Sequence, residues 1–316
     1  MTAFDASATQ PEQADESLIS LCVCTFRRPE GIRRALTSLI DTDVPQGWRV
    51  EFIVVDNDKE RSAQATINDV LSDRPNAAVH YVVEQNAGVS HARNRCITEA
   101  SGSILTFIDD DEYVGPRWLV DMIATLDALG ADAVFGPVVP SFERRPPNWI
   151  ERSGTHRRSR APTGSPVEWG DAQTNNVAFR RTLLESGNRF SVRFSKTGGE
   201  DSLFFAMACA AGLKLVWCDE AIVTETIPPD RMTRRWILER AFNGGRTYVR
   251  LQATLISPLA YIYYAIYGLL YALILLPPLL LAMAIGHAKH MQYARSLFGN
   301  LGKVAARFYG GGNYGG

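Results

Sequence analysis

The chain has few of the residues on which disulfide-rich, zinc-binding and nucleic-acid-binding proteins depend. Its five cysteines are odd in number and lie mostly within apolar runs, which favours free thiols in a reducing compartment over a disulfide framework. Cys22 and Cys24 lie two apart on a predicted strand, but no second pair is present to complete a zinc site. The formal net charge is −1, so the chain has no overall basic excess and nucleic-acid binding is not expected.

Two kinds of sequence signal are also missing. Residues 1–17 are polar and acidic, without the basic start and apolar core of a secretory signal, and they predict a disordered tail. No glycine-rich dinucleotide-binding loop follows the first predicted strand, where Thr25-Phe26-Arg27-Arg28 stands instead. This absence argues against an enzyme that uses a nicotinamide or flavin cofactor.

The segment from Ile104 to Glu112 carries the clearest chemical signal. Five apolar and β-branched residues predict a buried strand, and it ends in Asp109, Asp110, Asp111 and Glu112. Adjacent carboxylates repel one another, and a divalent cation bridging to an anionic ligand would compensate their charge. A solvated acidic turn is the alternative interpretation of this segment taken alone.

The first half of the chain alternates between predicted strands and helices. Strands are expected at 18–24, 52–55, 79–83 and 104–108, with helices at 29–40 and 63–71 and after Gly88. This order predicts an α/β fold with a doubly wound, mostly parallel central sheet. In such sheets ligands bind beyond the carboxyl ends of the strands, which is where Thr25, Asp56, Asn86 and Asp109–Asp111 fall.

The next part of the chain contains a second group of acids. Helix 118–129 and strand 133–139 are predicted first, and then a mobile basic loop at 144–164, which is either simply solvated or holds phosphates or anionic lipid. Two glycines then precede Glu200 and Asp201 at a predicted helix start, where the helix dipole favours the ionised carboxylates. Acids are also common in an ordinary first helical turn, so this pattern alone leaves both interpretations open.

The C-terminal third is strongly apolar. A basic amphipathic helix is expected at 231–250, an apolar segment without charged residues at 251–286, and a basic, glycine-rich tail at 287–316. The apolar segment exceeds the roughly 20 residues that cross a bilayer, which predicts membrane insertion, and Pro277-Pro278 is expected to break or kink it. Basic residues on both flanks leave a single span, a hairpin and a re-entrant segment open. A buried helix of a larger soluble core is the alternative.

Five motifs taken together resemble family 2 glycosyltransferases with the GT-A fold. They follow one another in the family's order, with a catalytic domain expected at 18–230: Cys24-Thr25-Phe26-Arg27-Arg28-Pro29, Val54-Val55-Asp56-Asn57-Asp58, Asn86-Ala87-Gly88 with Ala92-Arg93-Asn94, Phe107-Ile108-Asp109-Asp110-Asp111-Glu112, and Gly199-Glu200-Asp201. The stretch from Pro228 to Gly245 is similar to bacterial exopolysaccharide glucosyltransferases of the succinoglycan type.

The resemblance implies a role for each matching residue. Asp201 would be the catalytic base with Glu200 as its neighbour, and Asp111 would bind Mg2+ or Mn2+ while Asp109 faces ribose or metal. Glu112 is expected to lie outside the metal's direct ligands. The remaining donor-binding residues implied are Thr25 and Asp56 for the nucleotide base, Arg93 for the diphosphate, and Arg27, Asn86 and Asp110.

Three further residues, Asn176, Arg235 and Trp236, are implied in contacts with acceptor or diphosphate. Arg235-Trp236 partly matches the arginine–tryptophan pair of processive relatives, but Met232 replaces the expected glutamine, which argues against a processive polymerase. Where many relatives carry a metal-binding histidine, this chain has Glu225 nearby, so the identity of the third metal ligand stays open. The sequence does not indicate an oligomeric state either.

The expected activity is inverting, metal-dependent transfer from a nucleotide sugar, UDP-glucose by the finer resemblance, to a lipid-linked oligosaccharide. The expected location is the cytoplasmic face of the bacterial inner membrane. Three alternatives remain. A metal-dependent phosphohydrolase would need more histidines than His80 and His91, and a nucleotidyltransferase would need a glycine-rich phosphate loop. A non-catalytic membrane scaffold would not need Glu200 and Asp201.

Overall fold

The computed structural model describes residues 15–185, 187–286 and 289–307. Within these ranges the strands are β1 Asp15–Thr25, β2 Arg49–Asp56, β3 Val79–Val83, β4 Gly102–Asp109, β5 Glu112–Val114, β6 Ala133–Phe135, β7 Val138–Phe142, β8 Asn176–Arg180, β9 Leu215–Trp217 and β10 Val223–Ile227. The α-helices of the same ranges are α1 Pro29–Ile40, α2 Gln64–Ser72, α3 Val89–Glu99, α4 Trp118–Ala128, α5 Asn148–Ser153, α6 Glu200–Ala210, α7 Arg234–Leu255, α8 Ala260–Ala284 and α9 His290–Ala305.

A seven-stranded sheet forms the centre of the molecule, with strand order β3-β2-β1-β4-β8-β6-β9. β1 pairs in parallel with β2 and β4, whereas β8 is antiparallel to both β4 and β6. Helices and apolar side chains cover both faces of this sheet, in two clusters that contain Trp118 on one side and Phe107 on the other. The predicted α/β fold with a doubly wound, mostly parallel sheet is therefore confirmed.

A smaller sheet of three strands, in the order β5-β10-β7, flanks the central one. It arises because the predicted strand 133–139 is in fact two strands, β6 and β7, which belong to different sheets. Gly136 and Pro137 separate them, and a Cβ at Gly136 would overlap the carbonyl oxygen of Ala221. Proline also lacks the N–H that a continuous ladder requires.

Several other boundaries differ from the sequence predictions. Residues 15–17, expected in the tail, belong to β1, while the rest of that tail lies outside the described residues. The predicted loop 144–164 contains α5. The basic helix begins at Arg234 rather than 231, after a 3-10 turn at Pro229–Met232, because the side chain of Thr233 caps it by accepting from the Trp236 N–H.

The largest correction concerns the C-terminal region. Pro277 and Pro278 lie inside α8 without breaking it. Residues 289–307 are not an extended tail: they contain α9, which packs through Leu297 against Ala272 and Leu279 of α8. Of the described helices, α8 is the one whose length and composition suit a membrane span.

Candidate active site

The register of the central sheet brings the predicted site residues to one edge. Thr25 at the end of β1 lies opposite Asp56 at the end of β2, and Cys24 lies opposite Asp109 at the end of β4. The sharp turn into α3 depends on Gly88, whose φ of 128° and contact with the Ser195 side chain exclude other residues. Strand ends from separate parts of the sequence therefore form one acidic edge, as predicted.

Asp110 is buried beneath this edge and organises the loop after β1. Its carboxylate accepts a hydrogen bond of 2.9 Å from the Thr25 hydroxyl and one of 2.8 Å from Arg28 Nη1. Burial raises the pKa of Asp110 to about 6, although the nearby Arg28 opposes that rise. Thr25 and Asp110, predicted to bind the donor, are thus engaged with each other, and Arg28 was not foreseen.

Asp56 holds the loop after β2 in place. It is 0% exposed, and its carboxylate accepts from the N–H groups of Asp58 and Ala63 and from the Tyr81 hydroxyl. These three hydrogen bonds fix the carboxylate and the loop after β2, and they leave one acceptor position on Oδ1. The predicted contact between Asp56 and the nucleotide base stays a prediction, and sequence reasoning did not identify Tyr81 as a partner of Asp56.

Arg27 is an exposed donor-site candidate of this edge. Its Nε donates to Asp58 at 2.9 Å, and this hydrogen bond is the main reason that the pKa of Asp58 is lowered. Arg27 also has a φ of 53°, an unusual backbone conformation for a residue other than glycine. The neighbouring Asn86 is exposed, and its backbone carbonyl accepts from Asn57 Nδ2 at 2.7 Å.

Arg93 joins the two groups of acids. Its Nη1 lies 2.5 Å from Glu200 Oε1, and its Nη2 lies 3.3 Å from Asp109 Oδ1. The Arg93 side chain is only 8% exposed, so both ends of its guanidinium are engaged with protein carboxylates. Arg93 thus bridges Asp109 and Glu200 in this structure, and its predicted contact with a diphosphate stays a prediction.

Glu200 and Asp201 start α6 as predicted, but their surroundings differ. Glu200 is buried, its Oε2 has no hydrogen-bond partner, and burial with the neighbouring Asp201 charge raises its pKa to about 7. Asp201 is partly exposed, with its Oδ1 accepting from the Ser202 N–H, and burial also raises its pKa. Of the two carboxylates, Asp201 is the one that a ligand in the cleft can reach.

Asp111 contacts two arginines. Its Oδ2 lies 2.8 Å from Arg231 Nη1 and 3.2 Å from Arg28 Nη1. Arg231 Nη1 is also 3.3 Å from Glu225 Oε1, while Glu225 Oε2 pairs with Arg158. A guanidinium thus lies between Asp111 and Glu225, a contact that connects the acidic edge to the 3-10 turn before α7.

The carboxylate oxygens at this edge are the type of ligand that a hard divalent cation binds. Asp109 and Asp111 offer carboxylate oxygens, which Mg2+ and Mn2+ prefer. Among the described residues no three His, Cys, Asp or Glu side chains form a ready group of ligands, and Arg231 supplies the positive charge at Asp111. Asp109 and Asp111 are therefore the residues of this edge that would hold a divalent cation, in competition with Arg231 at Asp111.

Glu112 differs from its three acidic neighbours. Its Oε2 accepts from the Asp109 N–H at 2.7 Å, and it is 1% exposed. Burial is the main cause of a pKa well above the usual value for Glu112. Its carboxyl group shapes the turn after β4, a position in keeping with its expected absence from the metal's direct ligands.

The three residues predicted to contact acceptor or diphosphate are dispersed. Asn176 is buried, its Oδ1 accepting from Trp118 and its Nδ2 donating to the carbonyls of Pro137 and Ala221, so it stabilises the core instead. Arg235 is exposed and pairs with Glu239 on its own helix. Trp236 alone lies near the site, since Arg231 lies over its ring.

Comparison with known proteins agrees with this arrangement. A sequence model described as Glycosyl transferase family 2 matches residues 20–187. The chain is also 36% identical over 236 residues to the succinoglycan biosynthesis protein ExoM of Rhizobium meliloti, covering 74% of this chain and 75% of that protein. The sequence similarity thus includes the strand ends that carry the acids.

Two solved structures share the fold. The mannosyltransferase PcManGT from Pyrobaculum calidifontis, in complex with GDP-Man and Mn2+, matches with a TM-score of 0.61 at 18% identity, over 95% of this chain and 90% of that one. S. aureus TarS 1–349, in complex with UDP-GlcNAc, matches with a TM-score of 0.53 at 18% identity, over 89% and 90% of the chains. These similarities confirm the expected GT-A fold.

Proposed function

Because this chain belongs to glycosyltransferase family 2, we propose that it transfers a sugar, with inversion, from a nucleotide-sugar donor to a lipid-linked oligosaccharide in exopolysaccharide or cell-surface glycan synthesis. UDP-glucose is the proposed donor, and the cytoplasmic face of a bacterial inner membrane is the proposed location. The similarity to ExoM supports the exopolysaccharide assignment. The apolar helix α8 supports membrane association.

The observation that carries the proposal is the Arg93 bridge. It fixes Asp109, at the acidic strand end, relative to Glu200, at the start of α6. Donor-binding acids and a candidate base from distant parts of the sequence are thereby held in one cleft. A scaffold that only binds nucleotide sugars would gain nothing from a buried, charged connection of this kind, because burying it is costly.

The donor side of the mechanism needs a charge balance at the leaving diphosphate. The chemistry that Mg2+ or Mn2+ supplies when bound at Asp109 and Asp111 is neutralisation of that leaving group. Arg28 and Arg231 contact Asp111 and Arg93 contacts Asp109, so these three arginines already place positive charge at the two carboxylates. Arg27 is exposed at the same edge and is proposed to contact the nucleotide.

The acceptor side needs a base that removes the proton of the attacking hydroxyl. Asp201 is proposed for this role because it is the more accessible member of the pair, whereas one Glu200 oxygen is bound by Arg93. Glu200 positions its neighbour and holds the Arg93 bridge. No second carboxylate is assigned as a nucleophile, so a single displacement with inversion of the sugar carbon follows.

The test is a transfer assay with the purified full chain in lipid nanodiscs. Labelled UDP-glucose, Mn2+ or Mg2+ and a lipid-linked saccharide extract are supplied, and labelled lipid product is separated from free glucose. The proposal expects label in the lipid fraction, with loss of that label in Asp201→Asn. Release of free sugar alone in both proteins would contradict it, and would favour hydrolysis.

A further inference from the structure

Helix α7 lies flat across the catalytic domain. Near its start, the Trp236 ring stacks on His156 at 5.8 Å between ring centroids. Further along, the Thr247 hydroxyl donates to the Thr197 carbonyl at 2.8 Å, and Leu251 lies against Gly199 beside the catalytic pair. Leu251 lies 15 positions after Trp236, which corresponds to about 22 Å of helix. Over this length the axis of α7 follows the surface of the domain.

Helix α9 runs beside α7 in the same direction. Its first turns contact the domain near the start of α7, since Gln292 Nε2 donates to the Ser153 carbonyl at 2.9 Å. Its later turns cross α7 closely: a Cβ at Gly245 would overlap the carbonyl oxygen of Gly299, and a Cβ at Gly302 would overlap that of Phe242. Helix α9 is therefore fastened to the domain and to α7.

Helix α8 runs antiparallel to α9 and is held to it along most of its length. The Tyr264 hydroxyl lies 3.2 Å from that of Tyr248 on α7, and a Cβ at Gly268 would lie 2.6 Å from the Asn300 carbonyl oxygen. Towards the other end, Leu279 packs with Leu297. Helices α7, α9 and α8 thus lie side by side, with their axes along the domain surface.

This arrangement conflicts with a membrane-spanning α8. A span needs about 30 Å of helix in hydrocarbon, but only five residues, about 8 Å, extend from Leu279 to the end of α8. If the paired part of α8 entered the bilayer core, the helices beside it would follow with their polar side chains, at a high cost in free energy. Those side chains include Glu239, Arg240 and Asn243 on α7, and Gln292, Arg295 and Asn300 on α9.

We propose that α8 lies in the plane of the membrane, as an interfacial helix whose outer face is immersed in phospholipid. This inference refines the membrane association proposed above and does not depend on sugar transfer. The outer face is apolar over the whole helix and includes Ile266, Leu270, Ile274 and Leu281, each more than half exposed. No Asp, Glu, Lys or Arg lies within α8.

Two features indicate a bilayer rather than a second protein chain as the occupant of this face. Basic residues stand on both sides of the apolar helix, with Arg250 before it and Lys289 and Arg295 after it, as expected beside anionic lipid headgroups. Tyr263 and Tyr271 are exposed on α8, and tyrosine is enriched at membrane–water interfaces. With α8 in the plane of the membrane, the side of the catalytic domain that α7 covers, which includes Gly199, lies towards the membrane surface.

The test measures the depth of single positions in vesicles. Full-length variants Ile266→Cys, Ile274→Cys and Leu281→Cys, which share the outer face, are labelled with an environment-sensitive fluorophore. The wild-type chain, with its own cysteines, serves as background, and Glu30→Cys on the exposed surface of α1 is the matched control. The proteins are bound to phosphatidylcholine–phosphatidylglycerol vesicles that contain spin-labelled lipids at known depths.

An in-plane helix predicts equal, shallow depths at all three positions, about 5–10 Å below the headgroups, and no quenching at Glu30→Cys. A depth that changes steadily along α8, with residue 274 near the bilayer centre, would overturn the proposal. A second variant, Leu270→Glu with Ile274→Glu, should lower vesicle binding at least tenfold. Failure of the wild-type chain to bind vesicles, with self-association in its place, would also overturn it, whereas vesicle binding without sugar transfer would count only against the proposed function.

Discussion

Arg93 and Glu200 form a buried ion pair at 2.5 Å between residues that are 107 positions apart in the sequence. The same guanidinium contacts Asp109, so one side chain holds the acidic strand end and the start of α6 together. The relative position of the acidic strand end and the start of α6 therefore depends on the buried Arg93 side chain. This relationship leads to predictions about the base, its pKa, the bridge itself and the neighbouring Arg231.

Asp201→Asn should lower the rate of transfer by about 10²–10⁴-fold, because the amide cannot accept the proton of the acceptor hydroxyl. Titration with UDP should give an unchanged affinity, because Asp201 is proposed to act on the acceptor and not to bind the nucleotide. The matched control is Asp69→Asn, an exposed acid on α2, which should leave both quantities unchanged. Loss of UDP binding in Asp201→Asn would contradict the assignment of Asp201 as the base.

Transfer activity should rise with pH through about pH 7 and level off only above it, where the carboxylate pair has lost its shared proton. Burial and the Asp201 charge raise the pKa of Glu200 to about 7, and burial raises the pKa of Asp201, so the pair still holds a proton below neutrality. Since the base acts in its ionised form, protonation at lower pH removes activity. The midpoint belongs to the coupled pair rather than to either residue.

The same reasoning predicts the effect of Glu200→Gln on the pH profile of kcat. The amide removes the neighbouring negative charge, so Asp201 should ionise more easily and the midpoint should move to lower pH. A midpoint that stays unchanged in Glu200→Gln would show that the two carboxylates do not titrate together.

Arg93→Met should lower the free energy of unfolding by about 3–5 kcal/mol, because it leaves Glu200 buried without its partner. Adding Glu200→Gln to that variant should restore part of the loss, since the unpaired charge is then absent. Arg33→Met, which breaks an exposed pair with Asp69, is the control and should cost less than about 1 kcal/mol. Thermal unfolding of the detergent-solubilised chain measures these differences, and equal effects of Arg93→Met and Arg33→Met would contradict the account.

Arg231→Met should raise the affinity for Mn2+ about tenfold in the absence of nucleotide, a change of about 1.4 kcal/mol. Arg231 contacts both Asp111 and Glu225, so its removal takes away one of the two arginines at each carboxylate and leaves Arg28 at Asp111 and Arg158 at Glu225. Arg235→Met is the matched control, because Arg235 forms an ion pair with Glu239 on the exposed surface of α7 and does not contact Asp111 or Glu225 in the described ion pairs. Mn2+ binding followed by electron paramagnetic resonance provides the measurement, and a fall in affinity in Arg231→Met would show that Arg231 supports the cation.

Local sequence patterns predicted the framework of the site well. Continuous apolar runs marked β1, β2 and β4, and the polar residues directly after them placed Thr25, Asp56 and Asp109 at one edge. These predictions succeeded because strand burial and strand direction follow from nearby residues and from general rules of parallel sheets. The glycines before Glu200 likewise marked the start of α6 correctly.

Contacts between distant residues were not predictable in the same way. The side chains of Asp56 and Asn176 match binding motifs in the sequence, but their partners Tyr81 and Trp118 come from other elements and turn them towards the core. Helix α9 falls in the segment that was predicted to be a basic, glycine-rich tail, and glycines weaken a helix in isolation. Gly302 becomes favourable only where α9 crosses α7.

The central claim is that this cleft transfers a sugar from a nucleotide by a single displacement driven from Asp201. The most direct test is the anomeric configuration of the product, determined by NMR after reaction of α-linked UDP-glucose with a lipid-linked saccharide. The account predicts a β-linked glucosyl product from the wild-type chain and none from Asp201→Asn. An α-linked product would contradict the single displacement, and an active Asp201→Asn variant would contradict the role of Asp201.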